Sequence, residues 1–359
     1  MKILLLKPSS LGDVIQALPV LRLLKLHFKN AEIFWWIDSA LAPLLEGDPD
    51  LAGIILFHRK RWESPLHWPE VFQSVREMRA QKFDLVIDLQ CLLRSGAFAW
   101  LARGKFLIGL DDAREGARGF YDLAVPRKSF HTHAVDWYLA VLPALGVPVH
   151  KNFVWLPEHK QVADAINSKF KIQNSKLILL QPGARWPNKR WPVEKFCELT
   201  KLLAQKFPDA QFAILGGKDD SSLGEKISQS CSGTGVPPVS SDPNAQAARA
   251  AKILNLCGKT SLPEMIEIIR CCDLMITNDT GPMHAAAALG KPLVALFGPT
   301  EPRRTGPYGQ LENVLRLDLP CSPCLSANCT IAETDKCLRD LPPAMVFERA
   351  KKFCLVAEK

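Results

Sequence analysis

Short apolar runs alternating with longer patches at helical spacing constrain this chain more than any other feature. Five runs rich in Ile, Leu and Val, at residues 2–6, 32–37, 53–57, 85–89 and 106–108, mark strands in the first half. Five more, at 177–181, 211–215, 253–256, 274–277 and 293–297, recur in the second half. Runs that are continuously apolar rather than alternating suit strands covered on both faces, and the helical patches between them supply the cover. The expected class is α/β, with parallel sheets built from βαβ units. At 359 residues the chain exceeds what one core usually serves, so two domains are expected. Residues 144–160 are proline-rich and lack helical periodicity, which places the junction near residues 150–172. We divide the chain into residues 1–160 and 161–343. A docking helix follows Pro342-Pro343, with apolar residues at 346, 347, 350, 353 and 354.

Composition narrows the setting. No apolar run approaches the ~20 residues that cross a bilayer, and residues 3–6 are too short for a secretory leader before Lys7 interrupts them. A cytoplasmic protein is expected. Eleven cysteines in a chain of this length read mostly as reduced thiols or small buried hydrophobes. A net charge of +8 favours anionic partners. Much of the excess is local, at His58-Arg-Lys-Arg-Trp62 and in residues 71–82, beside Trp62 and Trp68. Such a stretch suits an anionic membrane surface or a solvated basic face. No nucleic-acid-binding module accompanies the charge.

Several tempting motifs fail on context. Gly233-Thr-Gly235 is followed by Pro237 and Pro238 where a dinucleotide-binding helix would open, so residues 231–246 read as a surface insertion. Residues 257–261 contain Gly-Lys-Thr, but Ile253 stands where a phosphate loop needs its first glycine. Asp48-Pro49-Asp50 lies ahead of a strand and reads as a turn. Cys321, Cys324, Cys329 and Cys337, spaced C-x2-C-x4-C-x7-C, have the number and proximity for a structural zinc. The alternative is a cysteine-rich loop of reduced thiols.

Residues 273–300 are the most informative. A strand runs into Asn278-Asp279-Thr280-Gly281, and Pro282 opens an Ala-rich helix that Gly290 ends. A helix start at the carboxyl end of a parallel strand is where α/β folds hold anions such as a pyrophosphate. Asp279 is acidic beside this anion site, which suits hydroxyls of a sugar better than phosphate. Capping by Asp279 or Thr280, with His284 in packing, is the plainer reading. Residues 181–192, QPGARWPNKRWP, follow another strand end, and Lys189 there is placed to neutralise a leaving diphosphate. At the N-terminus, KPSSLGD (residues 7–13) joins a strand to a helix. Ser10 to Asp13 fits a capping box, and the same carboxylate at a strand end fits a general base.

Together these blocks resemble glycosyltransferase family 9, the lipopolysaccharide heptosyltransferases. The resemblance rests on residues 7–19, FDLVIDLQCLLRS (83–95), NKRWP (188–192), NDTGPMHAAAALGKPLVALFGPTEP (278–302) and GPYG (306–309), in that order. It implies a GT-B fold: two Rossmann-like, doubly wound parallel-sheet domains facing across a cleft. The first would bind acceptor and the second nucleotide sugar, with the helix at 344–359 packing back on the first. It implies inverting transfer of heptose from ADP-heptose to an anionic glycolipid acceptor of the lipopolysaccharide inner core. No metal or cofactor is required, and the work is done at the inner-membrane surface. Carried over by position, Asp13 is the base, with Ser9, Ser10 and Gly12 shaping its loop. Lys189 meets the diphosphate, Asp279 holds the sugar, and Thr280, Gly281, Pro282 and His284 surround the phosphates. Cys91 stands where the family usually has glycine. Other nucleotide sugars or acceptors, and a non-catalytic nucleotide-sugar-binding protein, are the competing readings. A nicotinamide-dependent oxidoreductase is opposed by the missing G-x-G-x-x-G after the first strand.

Overall fold

The apolar runs become strands because helices cover both of their faces, and their burial shows it. The structure is a computed structural model describing residues 1–112, 115–170, 176–232, 252–332 and 334–356. It divides into two compact units, Met1–Pro157 and Glu158–Lys359. The insertion expected from residue 231 lies, from residue 233 to its end, outside the described residues.

In the first unit the order is β1 (Lys2–Leu6), α1 (Leu11–His27), β2 (Glu32–Asp38), β3 (Gly53–Phe57), α2 (Trp68–Ala80), β4 (Leu85–Asp88), α3 (Leu93–Leu101), β5 (Phe106–Asp111), β6 (Leu123–Pro126), α4 (Ala134–Leu139) and α5 (Val141–Ala144), with short 3-10 turns between. Its strands lie in the order β3-β2-β1-β4-β5-β6, all parallel. On one face Leu4, Leu6, Trp36, Val86 and Phe98 share a core with Val75 and Met78 of α2. Helix α1 is buried from Val14 to Leu24, as a helix apolar on all sides must be.

The second unit runs α6 (Lys160–Phe170), β7 (Leu177–Gln181), α7 (Val193–Lys206), β8 (Gln211–Ile214), α8 (Ser221–Ser232), β9 (Lys252–Asn255), α9 (Leu262–Cys271), β10 (Leu274–Asn278), α10 (Gly281–Ala288), β11 (Leu293–Leu296), α11 (Pro302–Thr305), β12 (Val314–Leu315), α12 (Lys336–Arg339) and α13 (Pro343–Val356). Its sheet, β12-β11-β10-β7-β8-β9, repeats the first topology. In each sheet the strand order reverses beside the unit's first strand, between β1 and β4 and between β7 and β10. The crevice beyond the strand ends at such a reversal is where open α/β sheets bind ligands.

The last helix, α13, takes part in the core of the second unit. In α13, Val346, Ala350 and Cys354 are at most 2% exposed and share a core with Ile276, Val294, Phe196 and Trp191 of the second unit. That apolar stripe, one residue every four, is spent on α7, β10 and β11. The edge strands β6 and β12 were not expected, because a half-exposed edge needs no continuous apolar run.

Candidate active site

At the first unit's strand reversal, β1 is followed directly by Lys7, which is 4% exposed. Its ammonium donates to the Leu89 carbonyl just past β4, at 3.1 Å, and the Trp35 indole donates to its own carbonyl at 3.1 Å. Six residues on, Asp13 sits in the first turn of α1. Its Oδ2 accepts from the Ser10 amide at 3.0 Å and the Ser10 hydroxyl at 2.7 Å, and its Oδ1 accepts from Tyr138 Oη of α4 at 3.0 Å. Lys7 Nζ lies 4.6 Å from the centre of the Tyr138 ring. Burial alone would raise the Asp13 carboxyl; the Lys7 ammonium, both Ser10 donors and Tyr138 outweigh it and hold it below the usual carboxylate range. Burial and the neighbouring carboxylate push the Tyr138 hydroxyl well up, so it stays a donor. The carboxylate that caps the turn is therefore held from two sides, one oxygen by Ser10 and the other by Tyr138. Gly12 is buried, while Ser9 is half-buried in the turn that Ser10 closes.

The adjoining loop after β4 is pinned by Asp88, which is fully buried. Its carboxylate accepts from the amides of Gln90 at 2.8 Å and Cys91 at 3.2 Å, and from Ser95 and Tyr121 hydroxyls at 2.8 Å each. Burial pushes this carboxyl up against the pull of those donors. Cys91 has φ +51°, in the left-handed region that favours glycine.

At the second unit's strand reversal, the structure brings Lys189 and Asp279 together. Lys189 Nζ is 2.7 Å from Asp279 Oδ2, which also accepts from Thr300 Oγ1 at 2.6 Å. The ammonium stands 4.6 Å from the Trp186 ring centre. Asn278 ties the same loops together: its amide donates to the Pro182 carbonyl at 2.8 Å and its oxygen accepts from the Trp191 amide at 3.1 Å. Thr280 is the N-cap of α10 by backbone, but its hydroxyl makes no cap bond and lies 3.3 Å from Thr277 Oγ1. The first-turn amides of Gly281 and Met283 precede the helix's own hydrogen-bond ladder and are suited to an anion. Pro282 carries no N–H, so it shapes the turn and donates nothing. His284 is half-buried in the second position after it.

Other candidates separate from the site. Asp48 and Asp50 clamp Arg22, at 2.5 and 2.7 Å, and Arg22 also donates to the Trp155 carbonyl, so that pair is a structural turn. Trp191, 1% exposed, is core, and Arg190 donates to the Ala184 carbonyl at 2.8 Å. Cys321, Cys324, Cys329 and Cys337 are thiols without disulfides. Among the described residues no group of three or more His, Cys, Asp or Glu side chains is arranged to hold a metal ion. Sequence reasoning missed Tyr138 and undervalued Lys7 and Thr300. Lys7 and Thr300 adjoin strand ends in quoted motifs, a signal that was available; Tyr138 reaches Asp13 only through the packing of α4 on α1.

With this geometry in place, comparison with known proteins is decisive about kinship. The family model described as glycosyltransferase family 9 (heptosyltransferase) matches residues 71–334. The chain is 31% identical over 356 residues to lipooligosaccharide heptosyltransferase 2 of Campylobacter jejuni, covering 98% of both proteins. It is 30% identical to lipopolysaccharide heptosyltransferase 1 of Pseudomonas aeruginosa, covering 94% of this chain and 89% of that protein. The solved structure of E. coli ADP-heptose lps heptosyltransferase II superposes with a TM-score of 0.78 at 25% identity, covering 100% of each chain. E. coli heptosyltransferase WaaC with ADP shares the fold at a TM-score of 0.74 and 21% identity, covering 98% of this chain and 100% of that one. On these grounds the chain belongs to glycosyltransferase family 9, the heptosyltransferase family, and is a glycosyltransferase of GT-B fold.

Proposed function

We propose that the protein transfers heptose from ADP-heptose to an acceptor of the lipopolysaccharide inner core, with inversion at the anomeric carbon and Asp13 as base. Relatives along nearly the full length are lipooligosaccharide and lipopolysaccharide heptosyltransferases, which supports sugar and acceptor class. The observation that carries the catalytic part is the Asp13 carboxylate, kept ionised at a strand end by Lys7, Ser10 and Tyr138. An acceptor hydroxyl attacks the anomeric carbon, the bond to ADP breaks, and Asp13 takes the hydroxyl proton. A carboxylate this acidic accepts the proton late, as the new C–O bond makes the hydroxyl more acidic. Lys189 and the amides of Gly281 and Met283 stabilise the diphosphate as it leaves, so the reaction proceeds without metal. Asp279 holds a sugar hydroxyl.

The test is incubation with ADP-heptose and lipid A bearing Kdo, following ADP release with and without chelator. Release in both conditions, lost in Asp13→Asn, supports the reading. No release with any heptose donor, alongside turnover of another nucleotide sugar, overturns the donor; loss of release on chelation overturns the metal-free mechanism.

A further inference from the structure

Leu66 and Phe72, 85% and 71% exposed, are the most exposed large apolar side chains among the described residues, and Trp68 between them is 54% exposed. A single exposed leucine needs no explanation, but three such side chains within seven residues form a patch. Leu66 lies in the 3-10 turn Pro65–His67 that leads into α2. Trp68 and Phe72 are four residues apart on α2, with Arg76 another turn on, so the three form one stripe. Val75 and Met78, on the other face, are spent on the core. The stripe is thus left over from folding.

The patch is held in place before any partner arrives. Glu70 accepts from Arg61 at 2.9 and 2.5 Å and from the Trp62 indole at 3.3 Å, and His67 Nδ1 lies 3.0 Å from it. Around it the charge is basic: residues 58–82 carry Arg59, Lys60, Arg61, Arg76, Arg79 and Lys82 against Glu63, Glu70 and Glu77. Lys60, Arg61 and Arg76 are exposed.

We infer that this segment docks the first unit on an anionic bilayer, with Leu66, Trp68 and Phe72 entering the headgroup boundary and Lys60 and Arg76 on anionic headgroups. Three half-inserted side chains present on the order of 400 Å², about half of the ~800 Å² that a stable protein partner covers. Apolar tips ringed by basic side chains suit a lipid interface, where arginine keeps its head in water above a buried stem. The inference deepens the proposed action on a glycolipid. Its test needs no transfer reaction, so either can fail alone.

The experiment is cosedimentation of the full chain with phosphatidylcholine vesicles with and without phosphatidylglycerol. Binding is expected only with phosphatidylglycerol, weakening with salt. Leu66→Ser with Phe72→Ser should weaken it about tenfold or more, and Lys60→Glu by about fivefold. All three positions are exposed, so melting temperatures should match the parent. In brominated anionic vesicles, quenching of tryptophan fluorescence should largely vanish in Trp68→Phe. The inference is overturned if the parent ignores anionic vesicles, if the double variant binds like the parent, or if binding appears only when glycolipid acceptor is added. The last result would make the patch part of the acceptor site. Transfer to a water-soluble, deacylated acceptor should persist in the double variant; if the parent itself transfers nothing, the proposed function fails while the vesicle result stands.

Discussion

Tyr138 donates its hydroxyl to Asp13 at 3.0 Å across 125 residues of chain, and that one bond decides which oxygen of the carboxylate is tied to the fold. Ser10 already occupies Oδ2 from within the same helical turn. Tyr138 therefore orients the remaining oxygen and favours the ionised form. Removing it in Tyr138→Phe should raise the Asp13 carboxyl from its depressed position. The sign is fixed: a donor lost from the charged form makes proton loss harder. The acidic limb of the pH–rate profile is expected to move to higher pH, with kcat down about fivefold, the worth of a hydrogen bond of ~1 kcal/mol. A role confined to packing would lower the melting temperature and leave the acidic limb where it was.

Asp13→Asn separates base from cap. Asparagine still accepts at the helix start, so the stability lost should be small, ~1 kcal/mol or less. Asparagine takes no proton, and transfer should fall about a thousandfold. Donor binding, followed by calorimetry with ADP, is expected to be unchanged. Because the folded Asp13 carboxyl is depressed, its contribution to stability is present above the unfolded carboxylate pKa. It is lost as pH falls through the folded value. Melting curves of parent and Asp13→Asn should therefore converge at low pH and stay apart at neutral pH.

How much of this was legible beforehand differs by residue. Strand ends were readable because a fully covered parallel strand must be continuously apolar, as in the buried runs of β1, β7 and β10. The motifs after those ends were readable for the same reason, and they fall at the strand reversals. Lys189 and Asp279 could be named from sequence, but not as an ion pair, because 90 residues separate them. Tyr138 left no local mark, and Asp88 was quoted within residues 83–95 without a role; their meaning comes from α4 lying on α1 and from the Tyr121 hydroxyl reaching the β4 loop. The C-terminal stripe was visible, yet periodicity gives a face and not the surface it covers.

Cys91 offers a clean test of backbone strain. Its left-handed φ of +51° costs any residue with a Cβ about 1 kcal/mol or more, and its side chain is 5% exposed. Cys91→Ala and Cys91→Gly both remove the buried sulfur, and only glycine also removes the strain. Glycine should thus be the more stable of the two by ~1 kcal/mol, the reverse of their order in ordinary backbone. Chemical denaturation of the pair measures this difference directly.

Arg22 tests the reading of Asp48-Pro49-Asp50 as a turn. Its guanidinium and the Asp48 carboxylate are 6% and 4% exposed. Arg22→Met leaves that carboxylate buried without its partner, and a loss of about 3 kcal/mol or more is expected. Asp48→Asn keeps hydrogen-bond acceptors for Arg22 and should cost less. Donor affinity and chelator response of the folded Asp48→Asn protein should match the parent. Loss of donor binding in that variant would contradict the purely structural reading of the two aspartates.

Lys189 and Asp279 share one ion pair, so single substitutions must be read with two ligands. Lys189→Met removes the cation near the expected diphosphate and should weaken both ADP and ADP-heptose by about tenfold or more, the worth of a charge-assisted hydrogen bond. It also leaves Asp279, 7% exposed, without its cation while Thr300 still donates to it, so some stability goes with it. Asp279→Asn acts differently. Taking a negative charge away beside a diphosphate site should leave ADP affinity equal or higher, while ADP-heptose loses the carboxylate that holds its sugar. The ratio of the two affinities is the readout. If Asp279 serves only to position Lys189, both ligands weaken together and the ratio stays at the parent value. If it holds the sugar, the ratio shifts by about tenfold toward ADP in Asp279→Asn, and not in Lys189→Met.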